Sequence, residues 1–282
     1  MKRVLILSRD TAWFGGVVNF ITSLNKNLSS DFEVVQFQIG RRKGRLGLLL
    51  RPLVPLLDAF RLAFLVNRKC FDAYHLNPSL NYSSLLRDGL FMLLLRLVRA
   101  DNVIVSFHGW EAPVEQKIAN NRMLLAVFKY IFSYADHTLV LAEAFRDWLV
   151  TVVGFDRVRV QIFTTMFDDA EFRGVQDVLS HDDTRVLFLS RLVREKGIYE
   201  LIDGFRALVS DYPEIKLVIA GNGPEEERLR DYVMEAGIGD RVTFTGYVRG
   251  ADKVRVLKAA GLFVFPTYYG EGCPIALLEA MA

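Results

Sequence analysis

The stretch Arg185-Val186-Leu187-Phe188-Leu189-Ser190-Arg191-Leu192-Val193-Arg194-Glu195-Lys196-Gly197 decides how this chain is built. Its first five residues read as a strand, with Val186 to Leu189 as the apolar run, and a basic turn closed by glycine follows. Beyond Gly197, the residues Leu201, Ile202, Phe205, Leu208 and Val209 recur at the spacing of one helical face. Strand, turn and amphipathic helix make one βα unit, and repeated βα units build a parallel sheet. Leu217 to Ala220, Val242 to Phe244 and Leu262 to Phe265 read as three more strands. Leu229, Tyr232, Val233 and Ala236 mark a helix between the first two of them.

The same alternation runs through the N-terminal part. Val4 to Ser8, Val34 to Ile39, Asn102 to Phe107 and His137 to Leu141 are strand-like. Helical spacing appears in Val17, Phe20, Ile21, Leu24 and Leu28, and again around Ser83 to Arg99 and Asn120 to Ser133. Phe167 to Asp183, rich in acids and poor in apolar periodicity, separates the two series. The expected fold class is therefore α/β, with two doubly wound domains at 1–170 and 171–282. Pro274 suits the first turn of a helix, and Ile275-Ala276-Leu277-Leu278-Glu279 begin it. That helix reaches Ala282 after about two turns, which is marginal by itself, so the natural fold is expected to continue beyond it.

Composition narrows the function classes. In 282 residues, 51% are hydrophobic and 24% charged, the balance of a folded globular chain. A net charge of +2 leaves the whole-molecule field uninformative about partners. Cys70 and Cys273 form neither a CxxC pair nor a metal-ligand cluster, so they read as reduced thiols of a cytoplasmic protein. The apolar start is too short for a signal peptide, and no charge-free run of about 20 residues reads as a membrane span.

Between Arg41 and Lys69 lie eight basic side chains: Arg41, Arg42, Lys43, Arg45, Arg51, Arg61, Arg68 and Lys69. They face one acid, Asp58, and leucines, Phe60 and Phe64 are interleaved. Such a segment can lie on an anionic membrane, or be a core helix behind a basic loop. With no recognised nucleic-acid motif beside it, a nucleic-acid partner is not expected.

Four features carry chemistry. Gly15-Gly16, between strand and helix, allows close backbone approach to an anion. It is not GxGxxG, which argues against a dinucleotide. His108-Gly109 follows a strand at the end where open α/β sheets bind ligands. There a histidine can donate to a hydroxyl or phosphate, or merely cap a loop; His75, His137 and His181 lack such placement. Arg191 and Lys196 flank the turn before a helix N-terminus, which suits a diphosphate leaving group without a metal, or is simply a solvated basic loop. Glu271 and Glu279 are eight residues apart with Gly272 and Pro274 between them. That spacing is about 2.2 helical turns, so the pair can face one ligand.

The run Phe265 to Ala282 resembles the E-x7-E signature of retaining glycosyltransferases of family 4, whose fold is GT-B. Val186 to Gly197 is similar to that family's strand-R-x4-KG element. Ala220-Gly221-Asn222-Gly223-Pro224 resembles its AGxGP turn, and Thr245-Gly246-Tyr247-Val248 its nucleotide-base turn. The resemblance implies that Arg191 and Lys196 hold the diphosphate, and that Glu271, with the amides of Gly272 and Cys273, orients the donor sugar. It further implies Glu279 on the ribose, Gly246, Tyr247 and Val248 on the base, and His108 near the reacting sugar. Gly15, Gly16, Gly221 and Ile275 complete the expected donor-binding set. The implied partners are a nucleoside diphosphate sugar and a glycan or lipid-linked acceptor, in cell-surface polysaccharide synthesis, with no cofactor and no metal. The implied location is cytoplasmic, at the inner face of the membrane. The hinge stretch Ile162 to Asp168 departs from the family's N-G-V-D-like turn. A non-catalytic nucleotide-sugar-binding or scaffold subunit, and a sugar-nucleotide epimerase, stay open as alternatives.

Overall fold

The computed structural model describes residues 1–9, 16–40, 53–166, 170–173, 182–270 and 272–282. Gly15, Glu271, His181, Phe167, Asp168 and the basic residues from Arg41 to Arg51 lie outside them. The chain divides into two compact units, Met1–Met166 with Gly270–Pro274, and Phe167–Tyr269 with Ile275–Ala282.

In the first unit the elements run β1 (Lys2–Ser8), α1 (Gly16–Asn27), β2 (Phe32–Gln38), α2 (Val54–Arg68), β3 (Ala73–Leu76), α3 (Tyr82–Leu97) and β4 (Val103–Phe107). They continue through α4 (Ala112–Ala119), α5 (Arg122–Phe132), β5 (His137–Val140), α6 (Glu143–Trp148) and β6 (Val160–Ile162). The sheet is parallel, in the order β2-β1-β3-β4-β5-β6. Side chains on β1 alternate between the two faces of the sheet. Leu5 and Leu7 join the core under α2, α3 and α5, with Leu62, Phe91, Met92, Phe128 and Phe132. Ile6 packs on the other face against Phe20 and Ile21 of α1. Asn81 caps α3 by accepting from the Ser84 amide at 2.9 Å, and Asn121 caps α5 from the Leu124 amide at 3.1 Å.

In the second unit β7 (Asp182–Leu189), β8 (Lys216–Ala220), β9 (Val242–Gly246) and β10 (Ala260–Phe263) form a parallel sheet ordered β10-β7-β8-β9. The short helix α7 (Ala170–Arg173) precedes it, and α8 (Ile198–Leu208), α9 (Glu226–Glu235), α10 (Gly250–Lys258) and α11 (Ile275–Met281) follow in chain order. Phe188, Ile202, Phe205, Leu217, Ile219 and Leu229 fill one side of the sheet. Leu187, Leu189 and Ala220 fill the other, against Val256, Leu257 and Ala276.

Two strands have no signal in the sequence pattern. β3 is four residues long and carries His75, which is buried and bonded to Ser106 Oγ at 2.7 Å, so a polar residue interrupts its apolar run. β6 is a three-residue edge strand with exposed Gln161 and Ile162. β10 begins and ends two residues before the expected Leu262 to Phe265, because the ladder with β7 starts at Ala260 and shifts register before Leu262.

Candidate functional site

In the second unit Arg191, Lys196, Gly221, Gly246, Tyr247 and Val248 lie at the carboxyl ends of β7, β8 and β9, the ligand-binding end of an open α/β sheet. The turn after β7 is tied to the turn after β8. Ser190 N donates to Ala220 O at 3.1 Å, and Leu192 N to Asn222 O at 2.9 Å. Gly221 N in turn donates to Gly246 O at 2.8 Å, which brings in the end of β9. This closeness requires glycine at 221, where φ is +140° and a Cβ would sit 1.8 Å from Ser190 O.

Arg191 and Lys196 share that turn but have opposite surroundings. Arg191 is exposed, whereas Lys196 is 2% exposed. Its Nζ lies 5.3 Å from the centroid of the Phe265 ring and 5.0 Å from that of Tyr269. Aromatic faces attract a cation that has left bulk water. The Phe265–Tyr269 segment is held there because Tyr268 N and Tyr269 N both donate to Glu195 O at 3.1 Å. Gly197, with φ at +72°, ends the turn and caps α8, and its missing Cβ leaves room for Pro266 O. Lys196 is thus buried at the head of α8, the end of a helix that favours negative charge.

Glu279 lies on α11, is 7% exposed, and pairs with Lys253 of α10 at 2.7 Å. The two side chains form an ion pair, and the oxygens of a carboxylate accept hydrogen bonds. Gly246 closes β9 with φ at +70°, Tyr247 is exposed, and Val248 packs beside Leu187 and Leu189. Ile275 opens α11 and is half-buried.

In the first unit His108 follows β4. Its Nε2 is 2.9 Å from Asn77 Oδ1, and Asn77 Nδ2 donates to Leu7 O at 3.3 Å. The carbonyl of Leu7 accepts only, so it fixes which end of the Asn77 amide is oxygen, and that oxygen requires Nε2–H on His108. The neutral ring then offers Nδ1, an acceptor. The sequence suggests a donor at this position; the geometry commits the donor to Asn77. Phe20 and Phe163 flank the ring at centroid distances of 4.8 and 5.6 Å.

Burial, then nearby His75, pushes His108 down to about 3, and burial pushes His75 down to about 4. Both values lie below the ordinary histidine value, so the unfolded chain takes up protons first as pH falls. Stability from these neutral histidines is complete above about pH 6.5 and is lost as pH falls toward about 4 and then about 3. The expected loss is on the order of several kcal/mol in total. Nitrogen NMR of His108 should show the Nε2–H tautomer from pH 8 to pH 5, values chosen to bracket the ordinary histidine range at about 6.5. A midpoint near the ordinary value would contradict the buried geometry.

The remaining expected residues divide. Gly16 opens α1, which follows β1. Gly272 and Cys273 belong to the Gly270–Pro274 segment grouped with the first unit. There Trp110 N donates to Gly270 O at 3.1 Å, a Cβ on Gly272 would meet Leu141 Cβ at 2.2 Å, and Cys273 Sγ is 3.8 Å from Thr164 Oγ1. Three supporting residues escape sequence reasoning: Asn77 beside His108, Tyr269 beside Lys196, and Lys253 beside Glu279. Each sits 26 or more residues from its partner in sequence, or is an aromatic with no spacing signal.

Residues 171–282 match the model of the family described as glycosyl transferases group 1. Mannosylfructose-phosphate synthase of Agrobacterium fabrum is 31% identical over 168 residues, covering 54% of this chain and 37% of that protein. Phosphatidyl-myo-inositol mannosyltransferase of Mycolicibacterium smegmatis is 30% identical over 148 residues, covering 51% of this chain and 36% of that protein. The matched stretches thus span little more than a third of these curated relatives. Among solved structures, sucrose-phosphate synthase from Thermosynechococcus elongatus superposes with a TM-score of 0.75 at 19% identity, covering 100% of this chain and 79% of that one. The shared architecture is the GT-B fold class, with Rossmann-like parallel sheets.

Proposed function

We propose, from the match of residues 171–282 to the glycosyl transferases group 1 model, that this chain transfers a sugar, with retained anomeric configuration, from a nucleoside diphosphate sugar to a glycan or lipid-linked acceptor. The setting we propose is cell-surface polysaccharide synthesis on the cytoplasmic side of a membrane, with the segment 41–69 touching anionic lipid. The observation that carries the reading is Lys196, buried between aromatic rings on the turn after β7.

In this mechanism Lys196 and Arg191 take the negative charge that develops on the diphosphate as the glycosidic bond breaks. A fixed cation in a site with little water stabilises that charge more than a solvated one, because it need not reorganise. The exposed Arg191 closes over the outer oxygens and Lys196 meets the inner ones. Gly246, Tyr247 and Val248 take the base through their backbone. The oxygens of Glu279 accept from ribose hydroxyls, with Lys253 paired to the carboxylate. Glu271 orients the donor sugar, and Nδ1 of His108 accepts from a sugar hydroxyl. A general-acid pair of the hydrolase kind has no part in this scheme.

The test is a calorimetric titration of the chain with UDP, GDP and ADP, first without and then with magnesium. One diphosphate should bind saturably without metal. Glu279→Ala should weaken that nucleotide about tenfold, as expected for one hydrogen bond to a charged group, and leave pyrophosphate unchanged. Failure of every diphosphate to bind a folded chain would overturn the reading, and equal loss of nucleotide and pyrophosphate would remove Glu279 from the ribose.

A further inference from the structure

The outer surface of α2, α3 and α5 has a composition that the transfer reaction does not use. These helices lie on one face of the first sheet and share one core, with α2 and α5 each packed against α3. Amphipathic helices normally turn their apolar residues inward. Here large apolar side chains point outward on all three: Phe60 and Phe64 on α2, Leu86 and Leu97 on α3, Met123 and Tyr130 on α5. On α2 the inversion is plain, because Asp58 is buried, bonded to Arg61 and to the Gly40 amide, while Phe60 is 74% exposed.

Charge on this face has one sign. The three helices contain two acids, Asp58 and Asp88, and both are buried. Their exposed charges are Arg61, Arg68, Arg122 and Lys129, with Arg96 half-buried beside Tyr130. Two of the arginines already lie on aromatic rings, Arg68 at 4.1 Å from Phe64 and Arg96 at 4.1 Å from Tyr130. Aliphatic and aromatic groups interleaved with long cationic stems, and no acid, suit the boundary between lipid headgroups and acyl chains. A soluble acidic protein would satisfy the cations but leave Leu86 and Leu97, 78% and 79% exposed, without an apolar counterpart.

We infer that the outer faces of α2, α3 and α5 form one docking surface for an anionic lipid bilayer. This deepens the membrane contact proposed for 41–69 by adding two helices outside that segment, and it does not depend on the transfer chemistry.

The test is co-sedimentation of the full chain with vesicles of phosphatidylcholine alone, or of phosphatidylcholine mixed with phosphatidylglycerol. The chain should pellet with the mixed vesicles, less so as salt rises. Arg122→Gln with Lys129→Gln should weaken that binding about 25-fold, at roughly fivefold per cation. Leu86→Gln with Leu97→Gln should weaken it about tenfold or more. All four positions face solvent, so melting temperature and diphosphate binding should stay at parental values. Unchanged vesicle binding by both double variants, with loss only on replacing Arg41, Arg42, Lys43 and Arg45, would overturn the three-helix surface. Release of the chain from vesicles by soluble glycerol phosphate would show a headgroup pocket instead and overturn it too. So would a dimer that the leucine variants break without changing vesicle binding. Failed diphosphate binding would count against the transferase reading alone.

Discussion

Lys196→Ala should weaken nucleoside diphosphate binding about 10²-fold and leave nucleoside binding nearly unchanged, as expected for removing charge-assisted hydrogen bonds to one group of the ligand. Sugar transfer should fall by about 10²–10³-fold, the usual cost of deleting one preorganised stabiliser of a developing anion. The large effect follows from burial. A surface lysine is a weak partner for phosphate, because water screens it and its stem is free to move. Lys196 is 2% exposed, sits beside Phe265 and Tyr269, and is held by a turn whose backbone is pinned at Glu195 and Gly197. Arg191→Ala, on the exposed side of the same turn, should cost less. Lys196→Arg should not restore binding, since a planar guanidinium does not fit a pocket shaped for a point charge. Calorimetry with the diphosphate and the nucleoside checks this, and equal loss for both would contradict the phosphate role.

Gly221→Ala should be the most destabilising small substitution in the second unit, at about 3–5 kcal/mol. A Cβ there would lie 1.8 Å from Ser190 O, with φ at +140°. Neither neighbour can yield cheaply, because Ser190 N is bonded to Ala220 O and Gly221 N to Gly246 O. Relief would open the contact among the ends of β7, β8 and β9, so diphosphate binding should fall together with stability. The melting transition of the second unit should drop by about 10 °C or more. Gly204→Ala is the control. Gly204 lies within α8, where an added Cβ would meet nothing within 4 Å. Helix propensity should therefore leave that variant neutral or stabilised by about 0.5–1 kcal/mol. Similar losses for both variants would show that the close approach at 221 is not what glycine provides there.

Strands were legible where the apolar run was unbroken. Leu187 to Leu189 is buried in a parallel sheet, where burial on both faces demands continuous apolar sequence, and Val103 to Phe107 keeps four apolar residues around the single buried Ser106. β3 was not legible, because His75 is satisfied by Ser106, a partner 31 residues away. The inward turn of Asp58 on α2 was equally hidden. Hydrophobic spacing marks a helix, but which stripe faces the core depends on what the sheet offers it.

For the site, residue type and spacing along the chain determined the candidates: Arg191 and Lys196 on one turn, His108 at a strand end, and the glutamates at eight-residue separation. These are local facts, because a βα turn and a helical pitch are set by neighbouring residues. Tertiary structure alone decided the state of each group. It buried Lys196 and left Arg191 in water, paired Glu279 with Lys253, and used Asn77 to turn His108 into an acceptor. Solvent exposure, ionisation and tautomer depend on atoms brought close by folding from distant parts of the chain, and linear order carries no record of that proximity.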